Sequence, residues 1–392
     1  MEATLASPDF SKRIPQLDGL RGLAIGMVIY FHYITTTFGS SRSLVARLLT
    51  RSASLGWTGV DLFFVLSGFL IGGILMDARG SANYFRVFYS RRACRIFPVY
   101  FTFVALTLLG AALLRWPMFA PSIPWPFQAS FTQNLWMAAH NTLGSRALWP
   151  TWSLAVEEQF YLLLPLLVYA VKPSRLPWIA GAGIAGAAVI RLGLLLIRPN
   201  LVIAAYTLLP CRMNALLMGT LAAWFIRQPR LWQKLLSKRN DLRRALLILL
   251  GCLPLFLAIP AIDSRFEILV GLNAFPVYYA LLLVASLADE RIGRILRVRW
   301  LMNLGGIAYF VYLVHYPMFG LLIHAMGVRT AAGGIVAAII ALPLTIVVAQ
   351  VSWKWFEKPF IRLGHKVHYS GRRKSEFQRI AHVATPEPAV AE

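Results

Sequence analysis

Apolar runs close to 20 residues long, separated by polar or basic stretches, set the pattern of this chain. A helix needs about 20 apolar residues to cross about 30 Å of hydrocarbon. Ten runs approach that length: 18–38, 57–76, 97–114, 150–171, 178–197, 207–226, 244–262, 268–287, 301–323 and 331–353. They predict an all-α fold, a polytopic integral membrane protein with about ten transmembrane helices. The fifth run is the weakest, because Gly and Ala dominate it and Arg191 lies within it. Residues 1–16 read as a polar N-terminal tail, 17–362 as the membrane domain, and 363–392 as a basic and then disordered tail ending TPEPAVAE. The first run carries charges and lacks a small-residue cleavage site, so it is expected to be an uncleaved signal anchor. No soluble domain is expected beyond the membrane part, and no internal or inverted repeat is evident.

Composition agrees with the pattern. The chain is 58% hydrophobic and 14% charged, against about 45–50% and about 25% for soluble domains. A net charge of +23 raises nucleic acid as a partner, and the distribution of the charge argues against it. With the N-terminus placed inside, 28 of the 39 Lys and Arg fall in inner segments and 8 in outer loops. Arg21, Arg191 and Arg212 lie within runs. That asymmetry puts both termini in the cytoplasm. The basic loop RQPRLWQKLLSKRNDLRR (227–244) is expected to rest on anionic lipid headgroups. Cys94, Cys211 and Cys252 make no disulfide framework and read as packing residues. There is no GxSxG elbow, phosphate-cradling glycine loop, HExxH or metal-ligand spacing, so no metal and no tightly bound cofactor is expected.

What changes the picture is charge inside the runs. The first reads LDGLRGLAIGMVIYFHY, with Asp18, Arg21 and His32. Arg21 and His32 are eleven residues apart, which returns them to within about 20° on a helix and about 16 Å apart along it. Asp18 lies about 40° to the other side of His32. One face thus carries all three, and it must line a polar cavity, since an unpaired charge near the bilayer centre costs several kcal/mol. For Asp18 and Arg21 the plainer reading is an ion pair that snorkels to the headgroups; for His32 it is a packing histidine with a hydrogen bond. The fourth run, LWPTWSLAVEEQFYLLLPLL, places Glu157 and Glu158 about 100° apart at a depth comparable with His32. A carboxylate and a histidine at one depth suit a general base and the group that orients it, while a buried Glu–Arg pair is the alternative.

Elsewhere the polar positions are less decisive. In WTGVDLFFVLSGFLIGG, Asp61 lies near the outer end, as an ion-pair partner or a site residue, and SGFLIGG reads as helix packing. Arg92 and Arg95 in YFRVFYSRRACRIFP sit one turn apart on a cytoplasmic helix expected to end before Pro98. Their forks suit the phosphates of a nucleotide diphosphate; a positive-inside anchor is the bland alternative. PCRMNALLMGTLAAW buries Arg212 and Asn214, and GGIAYFVYLVHYPMF aligns Tyr309, Tyr312 and His315 just before Pro317. Glu357 in VSWKWFEKPF, flanked by lysines, reads as an electrostatic anchor at the membrane boundary. Buried His, Glu and Arg in ten helices suit an enzyme or a proton-coupled transporter of a small molecule or glycan intermediate about equally.

Ordered motifs separate the two. LDGLRGLAIGMVIYFH, GVDLFFVLSGFLIGG, FYSRRACRIFP, WSLAVEEQFYLLLP, CRMNALLMG, YLVHYP and WFEKPF resemble, in this order and over residues 14 to about 362, the membrane-bound acyltransferase-3 family. The resemblance implies a multi-pass enzyme of the bacterial inner membrane that takes an acyl group, most often acetyl, from cytoplasmic acyl-CoA. The acceptor it implies is a hydroxyl of a carbohydrate or other small hydroxylated molecule. It assigns functional roles to Arg21, His32, Arg92 and Arg95, and less directly to Glu158 and Arg212. Combined with the residue readings, the expected catalytic group is His32, Glu158 and Arg21. Arg92, Arg95 and Arg21 are expected to hold the acetyl-CoA phosphates, and Asp61, Glu157, Arg212 and His315 to bind substrate. Asn214 departs from the acidic residue of many relatives, and the fused esterase-like domain of some is not expected here.

Overall fold

The structure, a computed structural model, describes residues 13–39, 41, 43–114, 117–119, 122–252 and 265–371. Among the described residues every regular element is helical and no strand occurs. Nine of these helices run 17 residues or more. They are α1 (Pro15–Phe38), α2 (Gly59–Ala78), α3 (Tyr84–Leu114), α4 (Thr151–Ala170) and α5 (Leu176–Ile197). After these come α6 (Leu209–Ile226), α7 (Leu272–Ala288), α8 (Ala308–Ala325) and α9 (Ala331–Ser352). Eight helical stretches of the described residues, those holding α2 to α9, are long and apolar enough to cross a membrane. The protein is therefore all-α and polytopic. α1 has the length, 24 residues or about 36 Å, and its polar groups set it apart from the others. Of the run expected at 244–262, the helix Arg239–Gly251 is seen, and residues 253–262 lie outside the described part, as do 1–12 and 372–392 of the tails.

Two expected boundaries are corrected. The basic helix before Pro98 does not end there: α3 is one helix of 31 residues with Pro98 inside it. A proline removes only its own N–H and clashes with one carbonyl, and neighbouring helices absorb that in a membrane protein. Arg92 and Arg95 are thus fixed on the same rod as the membrane span. Conversely, the ninth run is split. Arg299–Gly306 forms a short helix, the chain turns at Ile307, and α8 begins at Ala308.

Burial sorts the helices. Most of α2 is buried, whereas many large apolar side chains of α5 and α9, such as Ile197, Ile339 and Val347, are exposed, as lipid-facing residues should be. Where helices cross at the centre, glycine permits contact of backbones. A Cβ on Gly68 would lie 1.8 Å from the Leu216 carbonyl oxygen, and one on Gly219 would lie 2.0 Å from that of Val65. α2 and α6 therefore touch main chain to main chain, the packing role expected of SGFLIGG. The same device seats α1 on the helix Arg299–Gly306, where a Cβ on Gly305 would lie 1.9 Å from the Asp18 carbonyl oxygen. Arg191, the feature that weakened the fifth run, is fully buried. Its guanidinium donates to the Cys211 carbonyl, to Asn214 Oδ1 at 3.3 Å and to Asn273 Oδ1, tying α5 to α6 and α7.

Candidate functional site

A cavity opens at the end of the bundle that carries the basic segments. Arg21 of α1, Arg92 and Arg95 of α3, Glu157 of α4 and Glu357 line it, with Ser67, Tyr161, Tyr309 and Tyr312. Each charge is held by the local fold. Arg21 Nη1 donates to Asp18 Oδ1 at 2.8 Å, the i,i+3 pair of one helical face, and Arg13 Nε reaches Asp18 Oδ2 at 2.6 Å. Arg92 lies over the Tyr161 ring, 5.5 Å from its centroid. Ser67 Oγ donates to Glu157 Oε1 at 2.5 Å, so the small residue next to Gly68 also serves the cavity wall. Glu357 is buried and accepts from Ser352 Oγ at 3.3 Å. It sits in the π-helical turn Trp353–Glu357 that continues α9; such a wide turn re-aims side chains and is common at functional sites. With Arg21 paired to Asp18, it is Arg92 and Arg95, sharing the lining with Glu157 and Glu357, whose forks suit phosphates.

Deeper in the bundle α8 carries the site forward one turn at a time. Tyr309 Oη donates to the Ile96 carbonyl at 3.0 Å, and Tyr312 Oη lies 2.7 Å from Ser153 Oγ. The Tyr312 ring, which lines the cavity, lies 6.1 Å from that of His315. His315 is fully buried, and its Nε2 lies 2.8 Å from Nδ1 of His32. Its other nitrogen, Nδ1, lies 2.9 Å from the Val311 carbonyl oxygen. That geometry fixes the tautomers when both rings are neutral. A carbonyl only accepts, so His315 Nδ1 carries the proton and Nε2 offers the lone pair. His32 Nδ1 must then donate to it, which leaves His32 Nε2 unprotonated. Tyr33 Oη, donating to the His315 carbonyl at 3.2 Å, fastens the same turn.

Beyond the histidines the bundle opens again at the opposite end. Tyr316 stacks on His32 at 4.8 Å between centroids. It lines a second pocket with Thr36, Ser122, Arg146 and Phe319. The histidine pair thus lies between two openings.

The structure brings together Arg21, Arg92, Arg95 and Glu157 at one opening and His32 with His315 beyond it. Glu158 does not orient His32: it lies in the field of Arg92, and the hydrogen-bonding partner of His32 is His315. Equal depth, read from helical rise, carries no information on which way a neighbouring helix is turned. Asp61 and Arg212 stand apart from the cavity. Arg212 Nη2 donates to Asp61 Oδ1 at 2.7 Å, both residues are 1% exposed, and the guanidinium lies 5.1 to 5.4 Å from the Phe64, Trp152 and Tyr206 rings. That is a structural ion pair behind the cavity wall. Asn214 gives its amide to the Leu272 carbonyl and takes a bond from Arg191, a role in which an amide serves without a second charge. Glu357 and Ser67 were missed as cavity residues. Glu357 is flanked by lysines and Ser67 by glycines, so each resembles a commoner structural pattern.

A family model described as an acyltransferase domain matches residues 14–354. O-acetyltransferase OatA of Staphylococcus aureus is 25% identical over 386 residues, which cover 93% of this chain and 60% of that protein. Peptidoglycan O-acetyltransferase OatA of Listeria monocytogenes is 27% identical over 389 residues, covering 93% and 58%. The chain spans about three fifths of the length of these curated relatives. No solved structure matches it.

Proposed function

The chain belongs to the acyltransferase-domain family, and from that premise we propose that it is a membrane-bound O-acyltransferase moving an acetyl group from cytoplasmic acetyl-CoA to a carbohydrate hydroxyl. The basic end of the bundle is then the cytoplasmic side of the bacterial inner membrane, with both termini there, as the charge asymmetry supports. The observation that carries the reading is the His32–His315–Val311 chain of hydrogen bonds, set between two openings. The phosphates of the donor rest among Arg21, Arg92 and Arg95, and the pantetheine arm leads the thioester past Tyr309 and Tyr312. His32 Nε2 takes the proton of the acceptor hydroxyl as that oxygen attacks the thioester carbonyl. The carbon–sulfur bond breaks, an ester forms, and the proton passes from His32 to the departing thiolate. His315 acts through His32, fixing its tautomer and ring direction.

The carbohydrate acceptor is supported by the two relatives above, whose names give them O-acetyltransferase activity, in one case on peptidoglycan. A covalent relay, in which His32 Nε2 first carries the acetyl group, uses the same lone pair. The test is CoA release by purified protein in nanodiscs given acetyl-CoA and cell-wall glycan, with mass spectrometry of the glycan. We expect CoA release and a glycan heavier by one acetyl group. A proton-coupled transporter would release no CoA, and that result would overturn the reading.

A further inference from the structure

The second opening has a chemistry of its own. One wall is a turn of the loop before α4, Arg146–Leu148, and the residues around it are locked in place. Ser145 Oγ donates to the Met118 carbonyl at 3.0 Å, and Trp149 Nε1 donates to the Gly144 carbonyl at 2.8 Å. Gly144 has φ of 74°, the left-handed region, and a Cβ there would come within 2.8 Å of Ser122 Oγ and 2.9 Å of Ile123, so only glycine suits this turn. The turn aims two side chains. The Trp149 ring stacks on Tyr316 at 6.0 Å, and Tyr316 is the ring stacked on His32. Arg146 lies over Trp149 at 5.7 Å, lines the pocket and is exposed, and no carboxylate pairs with it among the described residues. The stack Arg146–Trp149–Tyr316–His32 ties the pocket rim to the histidine pair, and the exposed hydroxyls of Thr36 and Ser122 in the pocket suit the hydroxyls of a sugar. An unpaired guanidinium at that rim suits an anion, because its planar fork binds carboxylate or phosphate oxygens in pairs.

We propose that this pocket is the acceptor site and that it selects an anionic saccharide. The sugar lies against Thr36 and Ser122, and its carboxylate or phosphate group pairs with Arg146. The assignment rests on the acyl-transfer reading for its acceptor hydroxyl, which must come within reach of His32, one ring beyond Tyr316. The pairing at Arg146 is made in contact with water, so it should weaken as salt rises.

Binding is measured without donor, so that it does not depend on turnover. Full-length protein in nanodiscs is titrated with a trigalacturonate, a phosphorylated trisaccharide and a neutral galactose trisaccharide. We expect one or both acidic sugars to bind about tenfold more tightly than the neutral one at low salt. Whichever acid is preferred identifies the anion. Arg146→Gln should bring the preference close to unity, and Arg146→Lys, which keeps the charge and loses the planar fork, should keep only part of it. A wild-type protein that does not discriminate by charge, or a preference that survives in Arg146→Gln, overturns the proposal. Acetyl-CoA consumption by the same samples is read separately: its absence would sink the acyl-transfer reading, whereas consumption without charge discrimination would sink the acceptor site alone.

Discussion

At the scale of single residues, the assignment turns on which atom of each ring bears a proton. His315 holds His32 by accepting its Nδ1–H, so His315→Ala should lower kcat by roughly 10²-fold, within the range for losing a group that orients a base. The donor KM should change little. His315→Gln keeps an amide oxygen able to accept that hydrogen, so part of the rate should return; equal loss in both variants would point to packing alone. At the cavity mouth Arg92→Lys keeps the charge and loses the planar fork that lies over Tyr161. We expect the KM for acetyl-CoA to rise about tenfold, worth about 1.4 kcal/mol, at nearly unchanged kcat. An unaltered KM would make Arg92 a membrane anchor. Sequence alone marks Arg92 and Arg95 as forks one turn apart on a basic helix, and His32 and Arg21 because charge in an apolar run is rare and expensive. It marks Glu158 as well, for the same reason, and there the arrangement differs: His315 takes that place by facing α1.

At the scale of elements, α2 and α6 show what the glycines do. A methyl group at Gly68 would lie 1.8 Å from a backbone oxygen of α6 that no rotamer change can move. Gly68→Ala should therefore force the helices apart and cost about 1–3 kcal/mol, seen as a lower thermal midpoint in detergent. Gly26→Ala is the control, since nothing lies within 4 Å of the added Cβ; similar midpoints for the two would contradict the close crossing. The helices themselves are legible from the length of the apolar runs. Their breaks are less so. Pro98 looked like an end and lies inside α3, while the gentler GGIA sequence at 305–308 is where the chain turns. Proline strains a helix by one hydrogen bond, which neighbours can compensate, whereas docking of Gly305 against Asp18 sets the direction of a whole segment.

At the scale of the molecule, one histidine pair lies between two openings; in the proposed reaction the basic one takes the phosphorylated donor and the other the acceptor. The charge asymmetry orients this arrangement: a reporter fused after residue 370 should be active only in the cytoplasm, and one in the 115–148 loop only outside. The reverse pattern would turn the basic cavity away from the cytoplasm and count against acetyl-CoA as its ligand. A ring of cavity residues drawn from α1, α2, α3, α4, α8 and the turn Trp353–Glu357 could not be assembled from spacing, because spacing fixes neighbours along one helix and leaves the rotation of the others open. The most direct measurement of the central claim is transfer of labelled acetyl from acetyl-CoA to glycan by purified wild-type and His32→Ala protein in nanodiscs. With the base removed, a loss of about 10²–10⁴-fold is expected, leaving at most about 1% of the wild-type rate in a variant that inserts and melts like the wild type. A folded His32→Ala protein that acetylates glycan at the wild-type rate would contradict the account.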